Sequence, residues 1–369
     1  MLALRSIESA LETKAYPVLA AMAAVGGEFE RRSVQEATVT TTPTKDNRNG
    51  KSSASKSDAV TAVLGGYPMS SALVMELIHQ FSPRQHDRQE GQVEQEDAHE
   101  FLHFLLEKMH NELIALRKDQ GNGVGAEDTV GVSGGVSGDG NANDDDDGWL
   151  VQSGKKAVRQ QEVSASSNEE QSIVSALFEG KFATSVACAG APVSVTLHPF
   201  QIVEVPIFSS AIHTIEDALE AFTESEILED YKPSGNAPPQ RADKSERFQA
   251  LPEILILHLM RFQFSGRSTK IQKHIGFEPR LTVRPSWMAA GCASKGGGGG
   301  SGGGGGAAYA LVATVTHHGK TLTSGHYTAD VVQPDNTWLR FDDSDVFVVG
   351  QQKVFAESPY LLIYERVRV

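Results

Sequence analysis

The sequence predicts an α+β domain, helical in its N-terminal part and built on an antiparallel sheet in its C-terminal part. Three observations lead there. Apolar residues recur at three- and four-residue steps from Gln95 to Leu116, the period of a helix face. After Phe178 that period gives way to short runs of alternating or β-branched residues. Low-complexity stretches separate these segments without any core-forming pattern.

The first helix is expected within Ala15 to Phe29, and the second carries Ala98, Phe101, Leu102, Leu105, Leu106, Met109 and Leu113 along one face. Strands follow. Val193, Val195 and Leu197 alternate with Ser194, Thr196 and His198, and Ile254 to Leu257 is an apolar run behind Pro252. Tyr309 to Val315, Tyr327 to Val332, Trp338 to Phe341 and Tyr360 to Tyr364 read as further strands. Residues 38–58, 119–148, 232–245 and 289–308 read as flexible insertions in one domain spanning 1–369, because they hold too few apolar residues to offset the entropy of ordering. The last contains ten glycines in the eleven residues from Gly296 to Gly306. No repeat of solenoid period is present.

Lys and Arg total 33 against 47 Asp and Glu, a net charge of −14, and no basic stripe interleaved with aromatics occurs, so no nucleic-acid partner is expected. Part of the acidity sits in the run Asp144 to Asp147; the rest can complement a basic protein partner. The apolar run Val18 to Val25 is too short to span a bilayer, and Glu8, Glu12 and Lys14 precede it. No membrane partner is expected, although Gly26 and Gly27 behind the run leave a signal peptide open. Two cysteines, Cys188 and Cys292, form no disulfide framework, which suits a cytoplasmic or nuclear protein.

The chemistry concentrates near the C-terminus. His326 follows Gly325 at the start of a strand, and Asp342 comes sixteen residues later (342 − 326) at the end of the next. If the two strands pair, the carboxylate orients the imidazole as a general base for nucleophilic catalysis. On spacing alone, a strand His beside an acidic turn is more often structural than catalytic.

The surrounding residues decide more. Tyr309-Ala-Leu-Val-Ala, His317, Gly319, Gly325-His326-Tyr327, Trp338, Phe341-Asp342-Asp343 and Tyr360-Leu-Leu-Ile-Tyr364 together resemble the C-terminal histidine box of the ubiquitin-specific proteases. Gln95-Glu-Asp-Ala-His-Glu-Phe-Leu102 resembles that family's glutamine and aspartate helix. Leu251-Pro-Glu-Ile-Leu-Ile-Leu-His-Leu-Met-Arg-Phe262 resembles its Leu-Lys-Arg-Phe strand, with Met260 departing from the usual Lys. The acidic insert followed by Trp149 is similar to the subtype called ubiquitin-specific protease ten.

The resemblance implies a papain-like fold of fingers, palm and thumb, with a helical thumb and with palm and fingers formed by the sheet of the C-terminal half. It implies a cysteine-type deubiquitinase, with ubiquitin and ubiquitinated proteins as partners and no cofactor. His326 matches the general base, Asp342 the residue that orients it, and Asp343 an adjoining acidic position. Gln95, Asp97 and Tyr327 match positions that line the channel for the ubiquitin tail; an ordinary helix cap is the other reading of Asp97. In such a site a thiolate attacks the carbonyl of the last Gly of ubiquitin and nearby donors stabilise the oxyanion. His317 and His318, adjacent on a strand, point to opposite faces and make a poor metal pair.

One part has no counterpart. Family members carry an N-terminal cysteine box, a Gly-Asn-rich turn followed by Cys and a helix, and nothing of that form occurs before Gln95. Cys188 lies in Ala187-Cys-Ala-Gly190, where many members place the first of two zinc-binding Cys pairs, and Cys292 borders the polyglycine stretch. The expectation is therefore no nucleophile, no structural zinc and no activity in this chain alone. Two accounts remain: a truncated gene or fragment, in which Ala15 to Phe29 follows the missing box, or a non-catalytic ubiquitin-binding pseudoenzyme. An unrelated α+β binding module with a fortuitous histidine box would be favoured if His326 and Asp342 lay apart.

Overall fold

The computed structural model describes residues 16–22, 78, 81, 96–122, 149–153, 156–162, 171–233, 237–264, 268–290, 292, 307–321, 324–343 and 345–368. The expected insertion 38–58, the acidic run Asp144 to Asp147 and Gln95 lie outside the described residues.

The periodic stretch forms helix α1, Ala98–Asn122. Asp97 caps it, its Oδ1 accepting the backbone N–H of His99 at 2.8 Å and of Glu100 at 3.1 Å, which satisfies two donors that have no intrahelical partner. A short helical segment, 17–22, opens on Pro17, whose fixed φ and missing N–H suit a first helical position. Its own free donors are met from α1: Glu112 accepts from the amides of Val18 and Leu19 at 3.1 and 2.9 Å. Val18 and Ala21 bury against Leu105 and Met109, while Tyr16 and Leu19 join Leu116. These contacts bury the apolar face that the 3.6-residue period marked out.

Next come β1 (Trp149–Ser153), β2 (Lys156–Glu162), α2 (Ile173–Phe178), β3 (Gly180–Cys188), β4 (Val193–Phe200), β5 (Ile202–Pro206), α3 (Ile215–Thr223), β6 (Glu226–Tyr231) and β7 (Gln240–Ala250). The chain continues through β8 (Ile254–Met260), β9 (Phe262–Phe264), β10 (Ser268–Lys270), β11 (Arg280–Thr282), a 3₁₀ turn (Pro285–Trp287), β12 (Ala308–His318), β13 (His326–Val332), β14 (Trp338–Asp342), β15 (Asp345–Val349), α4 (Gln351–Ala356) and β16 (Leu361–Arg366). Two large sheets result. One has the order β1-β2-β4-β3-β7-β6; the other runs β15-β14-β13-β12-β16-β8-β5, with β11 also paired to β12.

At β8 the second sheet is covered on both faces, which explains why Ile254 to Leu257 is an unbroken apolar run. Leu255 and Leu257 bury in the main core with Val203, Val205, Ile215, Leu219, Leu362 and Tyr364. Ile256, on the other face, packs with Leu106 of α1 and Val174 of α2. Each fully buried Leu or Ile here contributes roughly 1.5–3 kcal/mol relative to exposure.

Two of the expected boundaries need correction. Residues 240–245 are not an insertion but the first half of β7, paired with β3 on one side and β6 on the other. Their polar composition hides a strand because most of them lie outside the core; Ala242 is the buried residue, and Lys244 bridges to Glu226 across the pair at 2.7 Å. Residues 119–122 continue α1 rather than opening a loop. The C-terminal sheet is antiparallel except at its edge, where β5 runs parallel to β8. In the other sheet the hairpin β1–β2 is attached through a second parallel pairing, of β2 with β4. A parallel neighbour sits far away in sequence, so no local pattern announces it.

Candidate active site

His326 opens β13 and Asp342 closes β14, and these two strands pair antiparallel. The imidazole Nε2 and Asp342 Oδ1 are 2.5 Å apart. With Nε2 engaged, Nδ1 is the nitrogen left to exchange a proton with a nucleophile. Asp343 Oδ1 approaches that Nδ1 only to 4.0 Å and is mostly exposed. The β14–β15 hairpin fixes the carboxylate: Asp342 pairs with Asp345 across the turn, and Asp343 takes the left-handed conformation (φ 51°) that Asp tolerates better than bulkier residues. The contact removes what would have favoured the fortuitous-box reading, a separation of His326 from Asp342.

Alternation sorts the neighbours into two faces. His318 pairs with His326 across β12 and β13, their rings stack at 6.1 Å, and His318 Nε2 hydrogen-bonds Thr328 Oγ1 at 2.8 Å. Deeper on the same face, Arg340 makes a two-pronged contact with Asp330, 2.7 and 2.8 Å, and reaches Glu357 at 3.0 Å. This buried group lies two residues behind Asp342 on the same strand and ties β14 to β13 beneath the His–Asp pair.

On the other face lie His317 and Tyr327, with ring centroids 4.7 Å apart, followed by Phe262 and Tyr360. Burial, aided by Lys270, pulls the His317 imidazole down to about 4, so it is neutral near pH 7. Lys270 Nζ donates to the carbonyls of His317 and Gly319 at 2.6 and 3.1 Å, fastening the loop that leads to His326. Gly325 leaves no room for a side chain: a Cβ there would overlap His317 Nε2 and come within 2.5 Å of the His318 carbonyl oxygen. The glycine before the histidine is thus required by the close approach of β12, which sets where β13 begins.

The helix start meets this second face. Asp97 Oδ2 accepts the Tyr360 hydroxyl at 2.6 Å, and the Ala98 amide makes a long contact, 3.5 Å, to Tyr327 Oη. Asp97 thus caps α1 and also meets the aromatic lining of this face. Burial, then Asp97, raise the pKa of Tyr327 and of Tyr360, so both phenols stay protonated. Of the residues singled out in the sequence, His326, Asp342 and Asp343 cluster at one end of β13 and β14, and Asp97 and Tyr327 cluster on the adjoining face. The roles of Tyr360 and of the Asp330–Arg340 pair were missed. The signal for the pair was there: charges at positions that alternation assigns to an inward face.

Neither thiol belongs to this constellation. Cys188 ends β3 in the first sheet, where its Sγ contacts Gln240 Nε2 at 3.4 Å; Cys292 follows the 3₁₀ turn, its amide bonded to the Ala289 carbonyl. Among the described residues, two groups of ligand-type side chains converge within 4.8 Å: His326, Asp342 and Asp343, and His99, Glu204 and His258. In the first group, His326 Nε2 is already taken by Asp342. In the second, the rings of His99 and His258 stack 4.1 Å apart at 13°, and the lone pairs of near-parallel rings do not converge on one ion. Purified protein is expected to carry no stoichiometric zinc by elemental analysis; one zinc per chain, lost in Cys188→Ser, would refute this.

Comparison with known proteins is consistent with this geometry. The chain is 34% identical over 319 residues to ubiquitin carboxyl-terminal hydrolase 24 of Arabidopsis thaliana, covering 86% of this chain and 54% of that protein. It is 34% identical over 280 residues to ubiquitin hydrolase B of Dictyostelium discoideum (74% and 56%), and 32% identical over 291 residues to ubiquitin carboxyl-terminal hydrolase 10 of Rattus norvegicus (74% and 35%). The chain spans about half the length of the first two of these relatives. Among solved structures, the SAGA DUB module bound to monoubiquitin superposes with a TM-score of 0.52 at 24% identity, over 75% of this chain and 49% of that one, a likeness of fold. Among the described residues no helix is long and apolar enough to cross a membrane. Residues 19–364 match the family described as ubiquitin carboxyl-terminal hydrolase, and the chain belongs to that family.

Proposed function

We propose that this chain is the histidine-bearing part of a cysteine-type deubiquitinase catalytic domain that hydrolyses the isopeptide or peptide bond at the ubiquitin C-terminus. His326 is its general base, Asp342 orients that base, and Asp343 adds negative charge nearby. The observation that carries this reading is the 2.5 Å contact between His326 and Asp342, which leaves Nδ1 open, in a chain of this family. Such a pair makes a neighbouring thiol available as thiolate, because imidazolium beside a carboxylate stabilises the charged state of the couple. Asp97 and Tyr327 line the approach of the ubiquitin tail; Gln95, to which the resemblance gives the same role, lies outside the described residues. Cytoplasm or nucleus is the location that suits a thiol enzyme with two unpaired cysteines.

The nucleophile is not Cys188 or Cys292, whose contacts lie in other parts of the fold. This chain by itself is therefore expected to leave a fluorogenic ubiquitin C-terminal reporter uncleaved while still binding ubiquitin. Cleavage by the unaltered chain, abolished in Cys188→Ser or Cys292→Ser, would overturn the assignment. That the contacts of both thiols lie in other parts of the fold also favours a second reading, a pseudoenzyme that binds ubiquitin without cutting it. Joining the chain to a segment bearing a cysteine box separates the two: activity that depends on His326 supports the enzyme, and none supports the pseudoenzyme.

A further inference from the structure

Tyr360 is 3% exposed, and its position is set from several sides. Its amide donates to the Val315 carbonyl at 2.7 Å, and its carbonyl accepts from the Leu259 amide at 3.0 Å, so the backbone is pinned between β12 and β8. Its ring meets His258 edge-on at 4.6 Å and sits 6.0 Å from both Phe262 and Tyr327. A phenol held this way cannot swing, and it donates its single hydroxyl proton to Asp97 Oδ2 at 2.6 Å. The other oxygen of that carboxylate, Oδ1, is occupied by the amides of His99 and Glu100.

Among the described residues, three of the roughly four acceptor positions of the Asp97 carboxylate are thus filled by fixed donors, and the direction of the remaining one is determined by the fold. We propose that Tyr360 is a positioning residue: its hydroxyl, fixed on the sheet, aims the open acceptor of Asp97 at the ubiquitin tail. This rests on the reading of Asp97 as a tail contact. It adds that the contact is built from two elements far apart in sequence, so the start of α1 is aligned by the strand pairing of β8, β12 and β16. Tyr360 touches neither ubiquitin nor the reacting atoms and acts through Asp97 alone.

The test measures binding of the full chain to monoubiquitin, and to ubiquitin from which the flexible C-terminal tail has been removed, by titration calorimetry. Tyr360→Phe keeps the ring and removes the hydroxyl; Asp97→Asn removes the charge. Tyr360→Phe is expected to weaken binding of intact ubiquitin about threefold to tenfold, to leave tail-less ubiquitin unaffected, and to add little in an Asp97→Asn background. If Asp97→Asn removes the tail-dependent affinity while Tyr360→Phe does not, the positioning role is overturned and the reading of Asp97 stands. If Tyr360→Phe weakens both forms of ubiquitin equally, its role is merely structural and the proposal fails. If Asp97→Asn leaves binding of intact ubiquitin unchanged, or no binding is detected, the reading of Asp97 fails and takes the proposal with it.

Discussion

Once the chain is joined to a cysteine box, His326→Ala is expected to lower cleavage of a ubiquitin C-terminal reporter by roughly 10³-fold or more, because nucleophile and base act as a unit. In the proposed mechanism the imidazole of His326 is the proton acceptor, and the neighbouring ring cannot stand in its place, since His318 is turned to Thr328. Asp342→Asn should cost less, because the amide can still hold Nε2 in place while losing the charge that stabilises imidazolium. The order of the two losses is the informative result. A variant lacking His326 that retains most of the activity would remove the histidine from the mechanism.

The second large effect concerns stability. Arg340→Ala leaves Asp330, 1% exposed, without the guanidinium that takes both its oxygens, and removes the partner of Glu357. Stranding a buried charge in this way costs about 3–5 kcal/mol, which urea unfolding monitored by tryptophan fluorescence should register as a large fall in midpoint. The pair raises the Arg340 pKa above its ordinary value, chiefly through the Asp330 hydrogen bonds, so the charge persists at any accessible pH. Replacing Asp330 and Arg340 together by apolar residues should recover much of the loss. A midpoint for Arg340→Ala equal to that of the wild type would show that the pair is not the tie between β13 and β14.

Helix α1 and strands β4, β8, β12, β13, β14 and β16 were legible in the sequence because each buries a face whose period the apolar residues record. The His326 and Asp342 pairing was legible for a related reason: a short connection between consecutive strands leaves antiparallel pairing as the simplest arrangement, and Asp342 then falls beside His326. Strands β1, β2 and the first half of β7 were not legible. They are short or rich in polar residues, and what makes them strands is hydrogen bonding, in β2 and β7 to neighbours distant in sequence.

By itself the sequence determined the α+β class, the family resemblance and which His and Asp strand pairing brings together. Only the tertiary structure decided which imidazole nitrogen the carboxylate takes, that Asp330 and Arg340 neutralise each other inside the sheet, and that Tyr360 reaches Asp97 across a separation of 263 residues. Local periodicity reports which face of an element is buried. Which polar groups meet on that face depends on the register and crossing of elements brought together by packing, and no local pattern encodes it.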